Sequence, residues 1–202
     1  PPARSRRRGG LTHARVGPQQ HLHHVARAHH PVSLPSAPHG LAHRPAGMDR
    51  LVGPAPLQQV LAYPTDVGLA AASVLTGNLM ERYPKLRMAF SHGGGTLAML
   101  LPRLQQAMSV FPALKDSVHR APVDQARELY YDTLVFDPST LQHLVQTFGA
   151  SQLMIGTDYP FNFHDKRPVA RIREAGFDEQ VIQQLTHVNA KRFLGIESKI
   201  LE

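Results

Sequence analysis

Leu153-Met154-Ile155-Gly156-Thr157-Asp158-Tyr159-Pro160 is an apolar run of strand length that ends in a carboxylate, with a proline two residues further on. Proline has no N–H to give to a ladder, so the strand stops here and Asp158 stands at or just past its C-terminal tip. In a parallel α/β barrel those tips are where reactive side chains project. A second stretch has the same form. Leu86-Arg87-Met88-Ala89-Phe90-Ser91 runs into His92 and then Gly93-Gly94-Gly95. Two strands that each end in an acid/base or metal-capable side chain are more specific than one.

The text between and around them alternates. Val67 to Arg82 carries apolar residues at helical spacing, with Thr65 or Asp66 placed to cap it and Pro84 to end it. Leu86–Ser91 then reads as a strand, and 96–108 as a helix in which Pro102 predicts a kink or break. Glu128 to Phe136 (ELYYDTLVF) is a strand, and Pro138 opens a helix through Phe148. After the strand 153–157, helices are expected over 167–175, 178–187 and 189–194, the last stopped by Gly195. The order β-α-β-α-β-α with short connections specifies an α/β protein with a parallel sheet and covering helices.

The chain of 202 residues is long enough for one substantial core. Its net charge of +7 belongs entirely to the front. Residues 1–50 hold eight arginines against one acid, Asp49, whereas residues 51–202 hold 14 Lys+Arg against 14 Asp+Glu. The same front segment carries eight of the thirteen histidines and shows neither helical nor strand periodicity, so residues 1–44 are expected to be disordered. The domain is expected over 45–202. No run is apolar enough to span a membrane, and no apolar region near the start suggests a secretory signal. Cysteine is absent, which excludes disulfides and thiolate metal sites and suits a cytoplasmic protein.

Each motif has a plainer alternative. His92 before three glycines is either an imidazole beside backbone that a substrate can approach, or a strand-to-helix turn with an incidental histidine. Asp158 is either a reactive carboxylate or a turn residue. The two together favour chemistry, because a divalent metal needs carboxylate and imidazole converging from several strand ends. His21-Leu22-His23 has ligand spacing, but Gly17-Pro18-Gln19-Gln20 stands where a strand should lead in, so composition explains it. Arg6-Arg7-Arg8 reads as a solvated run without interleaved aromatics, and nucleic acid is not an expected partner.

Beyond these readings, Tyr63 to Ile196 resembles the C-terminal part of the amidohydrolase-related metal-dependent enzymes, in the aminocarboxymuconate-semialdehyde decarboxylase branch. The matching text is 63–66 (YPTD), 80–86 (MERYPKL), 90–95 (FSHGGG), 131–133 (YDT), 156–161 (GTDYPF) and 189–195 (NAKRFLG). The resemblance implies the C-terminal part of a TIM (β/α)₈ barrel with one divalent metal, usually zinc, at its mouth. Carried over residue by residue, Asp158 matches the final metal-ligand aspartate and shares in proton handling. His92 matches the catalytic histidine, and His43 falls near a later histidine ligand. Arg103 matches an arginine that family homodimers lend to the neighbouring subunit to bind a substrate carboxylate. Gly93 and Gly94 would leave room for a planar acid.

A full barrel takes about 250 residues, so the matched portion holds three or four βα units and the opening H-x-H strand is not among them. Residues 1–44 are therefore expected not to be native family sequence, as an out-of-frame translation or truncated gene model would give. The expected activity is metal-dependent decarboxylation of a small unsaturated or aromatic carboxylic acid. Hydrolysis of a lactone, ester or amide on the same scaffold, and an inactive fragment lacking its first metal ligands, are the alternatives.

Overall fold

A computed structural model describes residues 50–196. The expectations for residues 1–44, for His21 and His23, and for His43 lie outside the described residues. Helical geometry begins with a π-helical turn, Gln58–Ala62, and passes directly into α1 (Tyr63–Thr76). The start lies ahead of Val67, so Thr65 and Asp66 fall inside the helix and not at its cap. The Thr65 hydroxyl instead donates to the Leu61 carbonyl at 2.7 Å. The far end also differs from expectation, because Asn78 takes a left-handed φ of 53° and breaks the helix after Gly77. Asparagine tolerates that conformation, and here both ends of its amide are bonded. Nδ2 donates to the Ser117 carbonyl (2.8 Å) and Oδ1 accepts from the His119 N–H (2.9 Å).

The separate turn α2 (Leu79–Arg82) precedes β1 (Ala89–Phe90), a 3₁₀ turn at His92–Gly94, and α3 (Leu97–Val110). Contrary to expectation, α3 runs through Pro102. Leu97, Ala98 and Leu101 are buried on one face while Pro102 is exposed, so packing holds the helix on both sides of the missing N–H. Next come α4 (Pro112–Ser117), α5 (Pro122–Ala126) and β2 (Tyr130–Asp132). The helix expected over 138–148 is α6 (Pro138–Phe148). The Asp137 side chain caps it, and hydrogen bonds from Ser139 and Thr140 hold that carboxyl below the usual range. Finally β3 (Leu153–Met154), α7 (Pro168–Glu174), α8 (Glu179–Gln183), a π-helical turn at Gln184–Val188 and α9 (Asn189–Leu194) complete the order, with Gly195 left-handed at φ 70°.

The sheet order is β1-β2-β3 and both pairs are parallel, as the β-α-β-α-β-α reading requires. Ala89 pairs with Tyr130 and Phe90 with Tyr131, while Tyr131 pairs with Leu153 and Asp132 with Met154. The ladders are shorter than the strands expected from sequence, for a physical reason visible at each end. Backbone groups beyond the ladder have other partners. The Leu134 N–H goes to the Asp132 carboxylate, the Val135 N–H to the Thr133 carbonyl, and the Ile155 N–H to the Leu185 carbonyl in the π-helical turn.

Alternation along β2 puts Tyr131 on one face and Tyr130 with Asp132 on the other. Tyr131 is the centre of the helix-covered core. Its ring stacks on Phe148 at 3.8 Å, and its hydroxyl donates to the Ala126 carbonyl at 2.8 Å. Burial pushes its phenol well up. Leu75, Leu97, Leu101, Leu141, Leu153, Ile172 and Leu185 are fully buried around it.

The closest backbone approach is between α1 and the turn after β1. A Cβ on Gly95 would stand 1.9 Å from the Pro64 carbonyl oxygen, and one on Gly68 would stand 2.2 Å from the Thr96 hydroxyl. Gly95 also has φ 60° and ψ −126°, a conformation closed to other residues. Replacing Gly95 by Ala is expected to destabilise the protein by about 3 kcal/mol or more, against about 1 kcal/mol for Gly176→Ala, which meets nothing within 4 Å. Chemical denaturation of the two variants measures the difference.

Candidate active site at the strand tips

The three parallel strands end on one side of the sheet, and each tip leaves the ladder through a non-glycine residue in the left-handed region. These residues are His92 after β1 (φ 54°), Phe136 after β2 (φ 57°) and Asp158 after β3 (φ 63°). Only four non-glycine residues among those described have positive φ, and Asn78 is the other. Such conformations persist where surrounding contacts over-determine them, and they concentrate at functional sites.

His92 and Asp158, the two residues expected to work together, lie close enough for the charge on one to act on the other. Desolvation pushes the Asp158 carboxyl above its ordinary range, and the fields of His92 and His164 partly oppose that rise. The Asp158 carbonyl accepts from the Phe161 N–H at 3.0 Å, which closes the turn that carries it. His164 completes this loop. Its Nδ1 lies 2.5 Å from the Phe161 carbonyl, its ring meets Tyr159 edge-on at 6.0 Å, and its field reaches Asp158.

Gly93 and Gly94 do something different from what the sequence suggests. The space where their side chains would stand is filled from within, by Leu144 and Val135 at Gly93 and by the Tyr131 ring at Gly94. Their amides are also committed: Gly93 N–H to Asp132, Gly94 N–H to the Ser91 carbonyl, Gly95 N–H to the His92 carbonyl. The contacts of Gly93 and Gly94 among the described residues are thus with the core and with neighbouring backbone. They let the turn pack tightly on the core, which sets where His92 sits. Arg103 is exposed on the second turn of α3 and has no hydrogen bond or ion pair with any described residue, His92 and Asp158 included.

Two acidic groups were not singled out from sequence. Asp132, at the tip of β2, is a second strand-end acid beside Asp158; in the sequence it lies inside the run 128–136 read as one strand, so nothing there marks it as a tip. Its Oδ1 accepts from the Gly93 N–H (2.8 Å) and the Leu134 N–H (3.0 Å). Desolvation pushes its carboxyl up, opposed by these two amides and by the charge of His92. Gly156 gives it space, since a Cβ there would lie 2.6 Å from the Asp132 Cβ and 2.9 Å from Oδ2. Asp165, in the loop after β3, is buried against Arg171 of α7. Arg171 Nε donates to its Oδ2 at 2.6 Å, and the Arg167 N–H to its Oδ1 at 2.9 Å. Burial pushes Asp165 up, but these hydrogen bonds outweigh it and leave the carboxyl below its ordinary value. Arg171 Nη1 also donates to the Phe136 carbonyl at 2.7 Å, and its guanidinium lies 5.7 Å from that ring. One arginine thus ties the β2 and β3 tip loops together. No periodicity announces such a pair, because it depends on loops meeting in space.

Among the described residues no three His, Cys, Asp or Glu converge as a metal site. Asp158 offers a hard oxygen donor, but the described donors do not make a complete metal-binding set.

A parallel sheet covered by helices, with an imidazole and two carboxylates at or past its C-terminal strand ends, places acid/base groups where barrel enzymes carry their reactive side chains. The amidohydrolase family profile matches residues 14–196, and the chain belongs to that family. It is similar to the 2-amino-3-carboxymuconate-6-semialdehyde decarboxylase of Caenorhabditis elegans, 32% identical over 145 residues covering 70% of this chain and 36% of that protein. Among solved structures it is similar to the IDCase of Metarhizium anisopliae (TM-score 0.63, 23% identity, 76% of this chain and 45% of that one). It is also similar to a Polaromonas dihydroxybenzoic acid decarboxylase with bound manganese and 2-nitroresorcinol (TM-score 0.62, 21% identity, 77% and 46%). The matched part of the chain spans between 36% and 46% of the length of these proteins, and its fold is the C-terminal part of their barrel.

Two outcomes are expected. Arg171→Met should destabilise the protein by about 3–5 kcal/mol by stranding the Asp165 charge, with Asp165→Asn in the same chain recovering part of it; equilibrium denaturation of both measures this. The raised carboxyl of Asp132 gives a pH signature of definite sign. A group whose folded value lies above its unfolded one contributes stability at low pH and loses it as pH rises through the folded value. The melting temperature of the wild type should therefore fall relative to Asp132→Asn as pH rises from about 4 to 8.

Proposed function

We propose that this chain carries the proton-handling half of a decarboxylase acting on a small aromatic or unsaturated carboxylic acid. The observation that carries the reading is the placement of His92 and Asp158 on left-handed residues past the tips of β1 and β3, on either side of β2 and within mutual electrostatic reach. The decarboxylase names of the relatives support carbon–carbon cleavage over hydrolysis.

Decarboxylation breaks one C–C bond and leaves its electron pair on the carbon that held the carboxylate. That carbon must gain a proton, and carbon dioxide leaves. His92 is the donor in this reading, since histidine is the side chain most often used to move a proton near neutral pH. Asp158 or solvent returns the proton to the imidazole afterwards. Tyr159, Phe161 and Phe163, all exposed in the β3 tip loop, offer ring faces to a planar substrate.

A divalent metal, zinc or the manganese named for the Polaromonas relative, is the expected cofactor. Asp158 is its expected ligand here, with further donors such as His43 lying outside the described residues; because the described set is incomplete, the proton steps are derived from the side chains alone. Arg103, exposed and without an ion-pair partner among the described residues, suits a role on a substrate carboxylate in a second copy of the chain. No helix among the described residues is long and apolar enough to cross a membrane.

The test is carbon dioxide release from dihydroxybenzoate and related small acids, with His92→Asn compared with the wild type. Loss of a positioned proton donor is expected to lower kcat by about 10²- to 10⁴-fold with a smaller change in KM. Equal release by the variant and the wild type would overturn the assignment of His92.

A further inference from the structure

We propose that Asp132 is a positioning residue for His92, acting through the Gly93 amide. Its carboxylate accepts from Gly93, the residue next to His92, and from Leu134 on its own strand. One side chain thereby joins the tip of β1 to the tip of β2, across the two strands whose register pairs Phe90 with Tyr131.

Three features make this a device rather than an incidental contact. His92 has a positive φ (54°), a conformation that a residue with a side chain holds only under restraint from its surroundings, and Gly93 beside it (φ 61°) lets the turn continue. The restraint on one side is packing, through Leu144, Val135 and the Tyr131 ring against the missing side chains of Gly93 and Gly94. On the other side it is the Asp132 carboxylate, whose bonds to two amides are of the charge-assisted kind. Gly156 then lacks the Cβ that would strike Asp132, so all three strand tips make allowance for this carboxylate. Desolvating a carboxylate is costly, and a neutral side chain would satisfy burial at this position more cheaply. Holding a reactive group within a fraction of an ångström is a function that offsets such a cost.

The inference rests on the proposed decarboxylase reading only for its kinetic arm. Three variants are compared: Asp132→Ala, which removes both acceptors; Asp132→Asn, whose Oδ1 still accepts from Gly93 and Leu134; and Gly156→Ala, which keeps the carboxylate but crowds it. With dihydroxybenzoate as substrate, Asp132→Ala is expected to lose about a hundredfold in kcat with little change in KM. Asp132→Asn is expected to recover to within about tenfold of the wild type. In parallel, the Gly93 amide proton should resonate downfield in the wild type, as expected for an N–H bonded to a carboxylate. It should stay near that position in Asp132→Asn, and move upfield with broadening of the His92 imidazole signals in Asp132→Ala. Gly156→Ala should shift the same resonances and serves if Asp132→Ala does not fold.

An unmoved Gly93 resonance in Asp132→Ala or Gly156→Ala would overturn the proposal, as would an Asn variant as impaired as the Ala variant. If no acid releases carbon dioxide but the resonances move as described, the positioning role stands and the decarboxylase reading fails.

Discussion

Everything at the reactive end of this protein depends on how three short parallel strands stop. A strand that leaves a ladder exposes N–H and C=O groups that need other partners, and burial makes an unpaired one costly. Here each tip turns through a left-handed residue, and the groups freed by that turn are taken up locally. Asp132 receives the amides at β1 and β2, Arg171 donates to the Phe136 carbonyl after β2, and the Asp158 carbonyl receives Phe161 after β3. The strain sits where the reactive side chains are, and the packed core below it holds it in place.

That core explains why the tips are rigid. Tyr131 is stacked on Phe148, hydrogen-bonded to Ala126 and pressed against Gly94 on its third side. The strand residue that anchors the helices is therefore next in sequence to the one that holds the His92 turn. Alternation along a single strand assigns the two tasks to opposite faces: Tyr131 to the helix side and Asp132 to the mouth. The Asp165–Arg171 pair does for the outer loops what Asp132 does for the inner turn. Because Asp165 is almost wholly buried, its value lies in fixing geometry more than in stability, as is usual for buried ion pairs.

The element order and the parallel sheet were legible in the sequence because hydrophobic period and proline punctuation agree along the whole matched region. Pro138–Phe148 and Asn189–Leu194 appear with the expected bounds, since proline at a helix start and glycine at its end are local signals. The break at Asn78 was less visible: its left-handed turn is held by Ser117 and His119, some forty residues away. At the site, His92 and Asp158 stood out by ending apolar runs. Asp132 lies inside the run 128–136 read as one strand, and its place at a tip appears only where the ladder stops and the Gly93 amide reaches it. The glycines after His92 pointed towards a substrate when read as sequence and towards Leu144, Val135 and Tyr131 when seen in space. Direction, unlike spacing, is not written in one dimension.

The central claim is that the tips of β1 and β3 deliver a proton to the carbon that loses its carboxylate. Incubating the protein with dihydroxybenzoate in deuterium oxide and following the product by proton and deuterium NMR tests it directly. The account predicts one deuterium at the vacated carbon for each carbon dioxide released, with both lost together in His92→Asn. Carbon dioxide release at the wild-type rate in that variant, or a product formed without carbon dioxide, would contradict it.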